Sequence, residues 1–257
     1  MLLTYIVSGF AVGLLVGMTG VGGGSLMTPL LTLLFGVPPS VAVGTDLAFA
    51  SITKGVGTVT HRVRGTVHWD IVKLLCIGAL PAAMLATLAL RHFGTLTPEM
   101  GQIIRYSIAG SVLLTVVALL FKGKMLAWIN AKPERQLQGR ALSSATIVSG
   151  AVLGTLVTVS SIGAGAIGAT LLVMLYPRLS SAEVAGTDIA YAVPLTAIAA
   201  AGHWWLGSIN WELLAMLLIG SVPGITLGSW VARAVPERFL RGLLAMTLTG
   251  VAAKLIY

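Results

Sequence analysis

The stretch TGVGGGSLMTPLL, residues 19–31, breaks an apolar run near the start of a 257-residue chain. Four of the five residues from 20 to 24 are glycine. One glycine inside a helix costs about 1 kcal/mol relative to alanine, so this cluster ends one helix and separates it from the next. The break has a second copy. SSIGAGAIG, residues 160–168, follows 141 positions later: Gly22 and Gly24 fall on Gly163 and Gly165, and the upstream Gly9 and Gly13 fall on Gly150 and Gly154. After one inserted residue the offset is 142. VGTDLA from Val43 then falls on AGTDIA from Ala185, His61 on His203, Trp69 on Trp211 and Pro81 on Pro223. Matches at one spacing over the whole length mark an internal duplication. The expected organisation is a first repeat over 1–121, a basic linker over 122–141 and a second repeat over 142–257.

Composition sets the solvent. Hydrophobic residues make up 56% of the chain and charged residues 9%, with a mean hydropathy of +0.96. A soluble domain carries about 25% charged residues, too many more for this chain to cover itself in water. Lipid must solvate most of its surface, and apolar stretches near the ~20 residues needed to cross a bilayer fill both repeats. The expected fold is an all-α polytopic membrane protein. The first apolar run lacks a basic leader and a small-residue cleavage motif, so it is expected to be the first helix. The net charge of +8 falls between apolar segments, as cytoplasmic loops require, and is not interleaved with aromatics as a nucleic-acid surface would be. The single Cys76 lies in an apolar run. No soluble enzyme domain and no ATP-binding motif is expected.

Each half reads as five apolar segments: about 3–18, 25–36, 41–60, 69–91 and 102–121, then 142–158, 165–176, 183–202, 211–232 and 239–257. The second of each set is too short to cross easily. Each half therefore holds either five spans or three spans plus a re-entrant pair meeting at the glycine break. Both counts are odd, so the halves should be inverted with respect to the membrane. Charge agrees. HRVRGTVH, residues 61–68, is basic, whereas its counterpart HWWLGSIN, residues 203–210, carries two tryptophans and no arginine. With the N-terminus outside, this loop, the linker (Lys122, Lys124, Lys132, Arg135, Arg140) and the loop holding Arg233, Arg238 and Arg241 all fall on the cytoplasmic side.

Inverted repeats with broken helices place substrate near the midplane, where half-helix ends point at it. The glycine breaks are the leading candidate site: Thr19, Gly22, Gly23, Gly24 and Ser25 in the first half, and Ser160, Ser161, Gly163 and Gly165 in the second. Glycines let backbone N–H groups converge, the following helix offers its positive end, and the hydroxyls add donors. That donor set binds anions. Close helix packing is the competing explanation, and it suits Gly9, Gly13 and Gly17 well. Thr45–Asp46 and Thr187–Asp188 come second, either lining the cavity or capping the third helices. An ionised aspartate there would repel an anion unless a partner or a proton compensated it. Lys54 lies inside an apolar run, where a lysine either faces a cavity or snorkels to the nearby loop. His61 and His203 occupy equivalent positions, and inversion puts them on opposite faces. They suit gating, a proton relay or capping, and are too far apart to share a metal. Glu183 is expected to pair with Arg178. No metal and no cofactor is expected.

These residues resemble a known family. GMTGVGGGSLMTPLL, then VAVGTDLAFASITKGVGTVTHRVRGTVHW, then a weaker copy ending GTDIAYAVPLTAIAAAGHWWLGSINW, are similar over the whole chain to the TauE/SafE family of membrane permeases. The resemblance implies export of a small sulfur-containing oxyanion, sulfite or an organosulfonate, across the cytoplasmic membrane. Alternatives are an uptake permease, an anion channel and, remotely, an intramembrane aspartyl protease using Asp46 and Asp188. The protease would require a Gly-x-Gly-Asp motif, and neither VGTD nor AGTD supplies it.

Overall fold

The computed structural model describes residues 2–19, 24–94, 97–130 and 136–231, with positions 242, 246, 248–250 and 254. Among the described residues every regular element is a helix. They are α1 (Leu2–Thr19), α2 (Gly24–Leu34), α3 (Pro39–Val63), α4 (Trp69–Phe93), α5 (Pro98–Asn130), α6 (Gly139–Ser160), α7 (Ala166–Leu175), α8 (Ser181–Trp205) and α9 (Trp211–Val231). The first nine expected segments are thus each met by one helix. The tenth is described only at positions 242, 246, 248–250 and 254, and Lys132, Arg135 and the arginines at 233, 238 and 241 lie outside the described residues. α5 runs on to Asn130, past the last apolar residue of its segment.

Among the described residues five helices are long and apolar enough to cross a bilayer: Trp69–Phe93, Glu99–Phe121, Gly139–Ser160, Ser181–Trp205 and Trp211–Gly228. Their outward faces carry exposed Ile77, Leu88, Val117, Val152 and Val222, which lipid would cover. α3 is as long as α4 but more polar. Its residues 42–50 are buried without interruption, so protein surrounds it where lipid surrounds the others. α2 and α7, at 11 and 10 residues, reach only about half-way across at about 1.5 Å per residue.

The packing follows the duplication. The most extensive helix contacts are α1 on α9, α4 on α6 and α3 on α8. Glycine makes the first two possible. A Cβ at Gly9 or Gly13 would drive into the backbone of Leu217 or Ser221, and one at Gly220 into that of Ile6. Likewise, a Cβ at Gly150 or Gly154 would meet the backbone of Leu75 or Ala79, and one at Gly78 that of Ile147. Close packing is therefore what Gly9 and Gly13 do. The same contact occurs twice with the halves exchanged, each half's first helix lying on the other half's fourth.

α3 and α8 run antiparallel. Gly44, near the start of α3, packs on Ser208 and His203 at the end of α8, while Gly186, near the start of α8, packs on Thr66 and His61 at the end of α3. Two hydrogen bonds repeat the exchange: Asn210 N donates to Thr45 Oγ1 at 3.1 Å, and His68 N donates to Thr187 Oγ1 at 3.1 Å.

Candidate functional site

Asp46 and Asp188 do not cap the third helices. Those helices begin at Pro39 and Ser181, one to two turns earlier. The cap of α8 is instead a capping box in which Ser180 Oγ accepts from Glu183 N and Glu183 accepts from Ser180 N. Glu183 also pairs with His68 at 2.9 Å, not with Arg178, because α8 starts beside the loop that follows α3. Both aspartates are consequently placed inside helices and out of solvent, with 0% and 4% exposure.

A buried carboxylate needs partners. Thr28, on α2, donates its hydroxyl to Asp46 Oδ2 at 2.6 Å. Ser161 lies close enough to interact with the same carboxylate, yet the Ser161 hydroxyl and Asp46 Oδ1 each lack a hydrogen-bond partner among the described residues. Lys54, two turns further along α3, does not snorkel. It is 6% exposed, and its Nζ donates to the Ala164 carbonyl at 2.5 Å, in the second-half glycine break. Both Asp188 and Asp46 are within its electrostatic reach. One cation thus sits among two carboxylates, on the seam where α3 of one half meets the break of the other.

The break itself is built from unusual backbone. Ser161 closes α6 in the left-handed conformation (φ 59°), its N–H donating to the Val157 carbonyl at 2.7 Å. A non-glycine residue there costs roughly 1 kcal/mol. Gly163 and Gly165 follow at φ 131° and 150°, a region that favours glycine. Ser160 is committed to the loop: its hydroxyl donates to the Leu156 carbonyl at 2.7 Å and accepts from Ile162 N at 3.2 Å. α7 then starts against α8. A Cβ at Gly168 would collide with Asp188 Oδ1 and come within 3.3 Å of the Tyr191 hydroxyl.

The sequence candidates divide accordingly. Lys54 bonds the break that holds Ser160, Ser161, Gly163 and Gly165, and lies between Asp46 and Asp188, within electrostatic reach of both. Thr45 and Thr187 stand at opposite ends of the α3–α8 pair, their hydroxyls taken by backbone N–H groups of the other half. His61 and His203 stand at the same two ends. His61 Nδ1 hydrogen-bonds with Thr66 Oγ1 at 2.8 Å, and His203 Nε2 donates to the Thr158 carbonyl at 2.9 Å. Thr19 ends α1, and Gly24 and Ser25 begin α2. Gly22 and Gly23 lie outside the described residues. Two residues beside these candidates escaped sequence reading: Thr28 and Tyr191. Tyr191 left a signal, since at the 142 offset it faces Phe49 and differs by one hydroxyl.

Ionisable side chains held among membrane-crossing helices mark a pathway for a solute, and that architecture is the class of a multi-pass membrane transporter. The family model described as "Sulfite exporter TauE/SafE" matches residues 5–255. The chain belongs to that family. It is 37% identical over 261 residues to "Probable membrane transporter protein YjnA" of Bacillus subtilis, covering 100% of both chains. A second B. subtilis protein, "Probable membrane transporter protein YdhB", is 27% identical over 93% of each chain. A "Probable membrane transporter protein" of Xylella fastidiosa is 25% identical over 100% of this chain and 95% of its own. No solved structure matches the chain.

Proposed function

We propose that the protein is a secondary transporter that exports a small sulfur-containing oxyanion, sulfite or an organosulfonate, across the cytoplasmic membrane by alternating access of two inverted repeats. The observation that carries this reading is Lys54: a buried ammonium crosses from α3 of the first half to the Ala164 carbonyl in the break of the second. A cation on that seam draws an anion to the place where the halves move against each other. The exchange of equivalent contacts between antiparallel α3 and α8 supports the inversion, with the N-terminus outside and the 122–141 linker cytoplasmic.

Charge also favours coupling to protons. Among the described residues the titratable groups around the seam are Asp46 and Lys54 on α3, Asp188 and Tyr191 on α8 and Cys76 on α4, while α2 and the break contribute hydroxyls and carbonyls. Two carboxylates against one ammonium leave no room for another negative charge in low dielectric. A proton on one aspartate allows the anion to enter without adding net charge. Lys54 beside both aspartates also counts against a protease dyad, which needs its two carboxylates to share one proton.

Purified protein in liposomes, offered sulfite, sulfate, thiosulfate and sulfoacetate with and without a pH gradient, tests the reading. Saturable flux of a sulfur oxyanion that responds to the gradient is expected. Non-saturating flux indifferent to the gradient would make the protein a channel, and no flux of any anion would overturn the proposal. Flux driven inward by the physiological gradient would reverse its direction to uptake.

A further inference from the structure

The halves do not contribute equally to the seam. At the repeat offset Asp46 matches Asp188, Thr45 matches Thr187 and Gly44 matches Gly186. Three other pairs differ: Lys54 against Thr196, Phe49 against Tyr191, and Gly20 against Ser161. In each pair the member with the stronger donor borders the second-half break. Lys54 bonds the Ala164 carbonyl. Ser161 lies within the break. Tyr191 sets its hydroxyl against Gly168 just beyond it. Their counterparts offer nothing comparable. Thr196 spends its hydroxyl on the Ala192 carbonyl of its own helix at 2.8 Å, and Phe49 has no polar side-chain atom.

Two of these donors are buried without a hydrogen-bond partner among the described residues, Ser161 beside the Asp46 carboxylate and Tyr191 beside the start of α7. Tyr191 is 0% and Ser161 4% exposed. Buried hydroxyls left unpaired are destabilising and rare, so one in the break and one on α8 facing the start of α7 require a reason. A ligand with acceptor oxygens supplies one.

We propose that Tyr191 is a substrate-binding residue, and that its hydroxyl, the Ser161 hydroxyl and the Lys54 ammonium form a single three-donor cradle for a small oxyanion at the second-half break. This rests on the anion-transport reading above. The chemistry matches an –SO₃⁻ group or bare sulfite, each of which presents three acceptor oxygens. Two neutral O–H donors hold it without the excess positive charge that would prevent release. Gly168, lacking a Cβ, leaves room for the Asp188 carboxylate and the Tyr191 hydroxyl at the start of α7. The asymmetry makes it one site per chain, with the first half supplying the cation and the second the hydroxyls.

Tyr191→Phe tests this by installing the residue that the repeat already buries at Phe49. KM and kcat are measured for sulfite and for sulfoacetate in proteoliposomes, alongside thermal unfolding. KM should rise about ten- to a hundredfold for the transported anion, the value of one hydrogen bond to a charged group, with unfolding unchanged or raised because an unpaired hydroxyl is gone. A rise for sulfite alone assigns the cradle to the bare anion, and a rise for sulfoacetate to the sulfonate head. Ser208→Ala removes another buried, unpartnered hydroxyl at the end of α8 and should leave KM unchanged. An equal rise in Ser208→Ala would overturn the cradle, as would an unchanged KM in Tyr191→Phe. If Lys54→Ala still abolishes saturable transport in that second case, the transport function stands. A wild-type protein that moves neither anion overturns both.

Discussion

At the scale of the residue, Lys54 is the side chain whose environment departs furthest from what its chemistry prefers. Keeping an ammonium inside a bilayer-spanning bundle is expensive, and here the Ala164 carbonyl and two carboxylates offset the expense. Lys54→Ala should abolish saturable anion flux in liposomes. Lys54→Arg keeps the charge but replaces a compact ammonium with a broad planar fork, and should fold while transporting at least tenfold more slowly. Thr28→Val removes the hydrogen bond to buried Asp46 and should destabilise the protein by about 1.5–3 kcal/mol, read from thermal unfolding in detergent. Lys54 and the aspartates were legible as charges in apolar runs. Thr28 was not, because a threonine in an apolar helix usually bonds its own backbone, as Thr158 and Thr170 do here.

At the scale of the element, glycine has two separate duties. In α1, α4, α6 and α9 it lets helices pack backbone to backbone. In the break over residues 161–165 it permits positive φ at Gly163 and Gly165. The first duty gives a clean comparison. Gly78→Ala puts a methyl into the Ile147 carbonyl and should cost about 1–3 kcal/mol. Gly110→Ala, with nothing within 4 Å of the new methyl, should be neutral or stabilising by a few tenths of a kcal/mol. The same unfolding assay checks both. Helix positions were legible to within a few residues because apolar run length dictates them. α3 and α8 start two residues before their apolar segments, at Pro39 and Ser181, because PSVAV and SAEVA open with residues that read as loop until the helix buries or caps them.

At the scale of the molecule, exchange of contacts between halves governs the arrangement. Each half's Gly-Thr pair locks onto the loop that follows the other half's central helix, through Thr45 with Asn210 and Thr187 with His68. The two locks lie at opposite ends of the α3–α8 pair, and the proposed inversion would put them on opposite membrane faces. In a Cys76→Ser background, Asn210→Cys should react with a membrane-impermeant maleimide in intact cells, while Arg64→Cys should react only after permeabilisation. Labelling of both from outside would overturn the inverted topology. Both positions are exposed, so accessibility within the protein does not bias the comparison.

The sequence by itself determined the membrane fold, the duplication and the family, because these rest on quantities a linear chain carries: apolar run length, charge placement and repeat spacing. It also marked the charged members of the site, since a charge among apolar residues stands out wherever it points. Only the tertiary structure decided which break Lys54 serves, that Asp46 and Asp188 are buried partners and not helix caps, and that Thr28 and Tyr191 join them. Those facts depend on which helices meet. α3 of one half lies on α8 of the other, so the residues that make the seam come from positions more than a hundred apart in the chain.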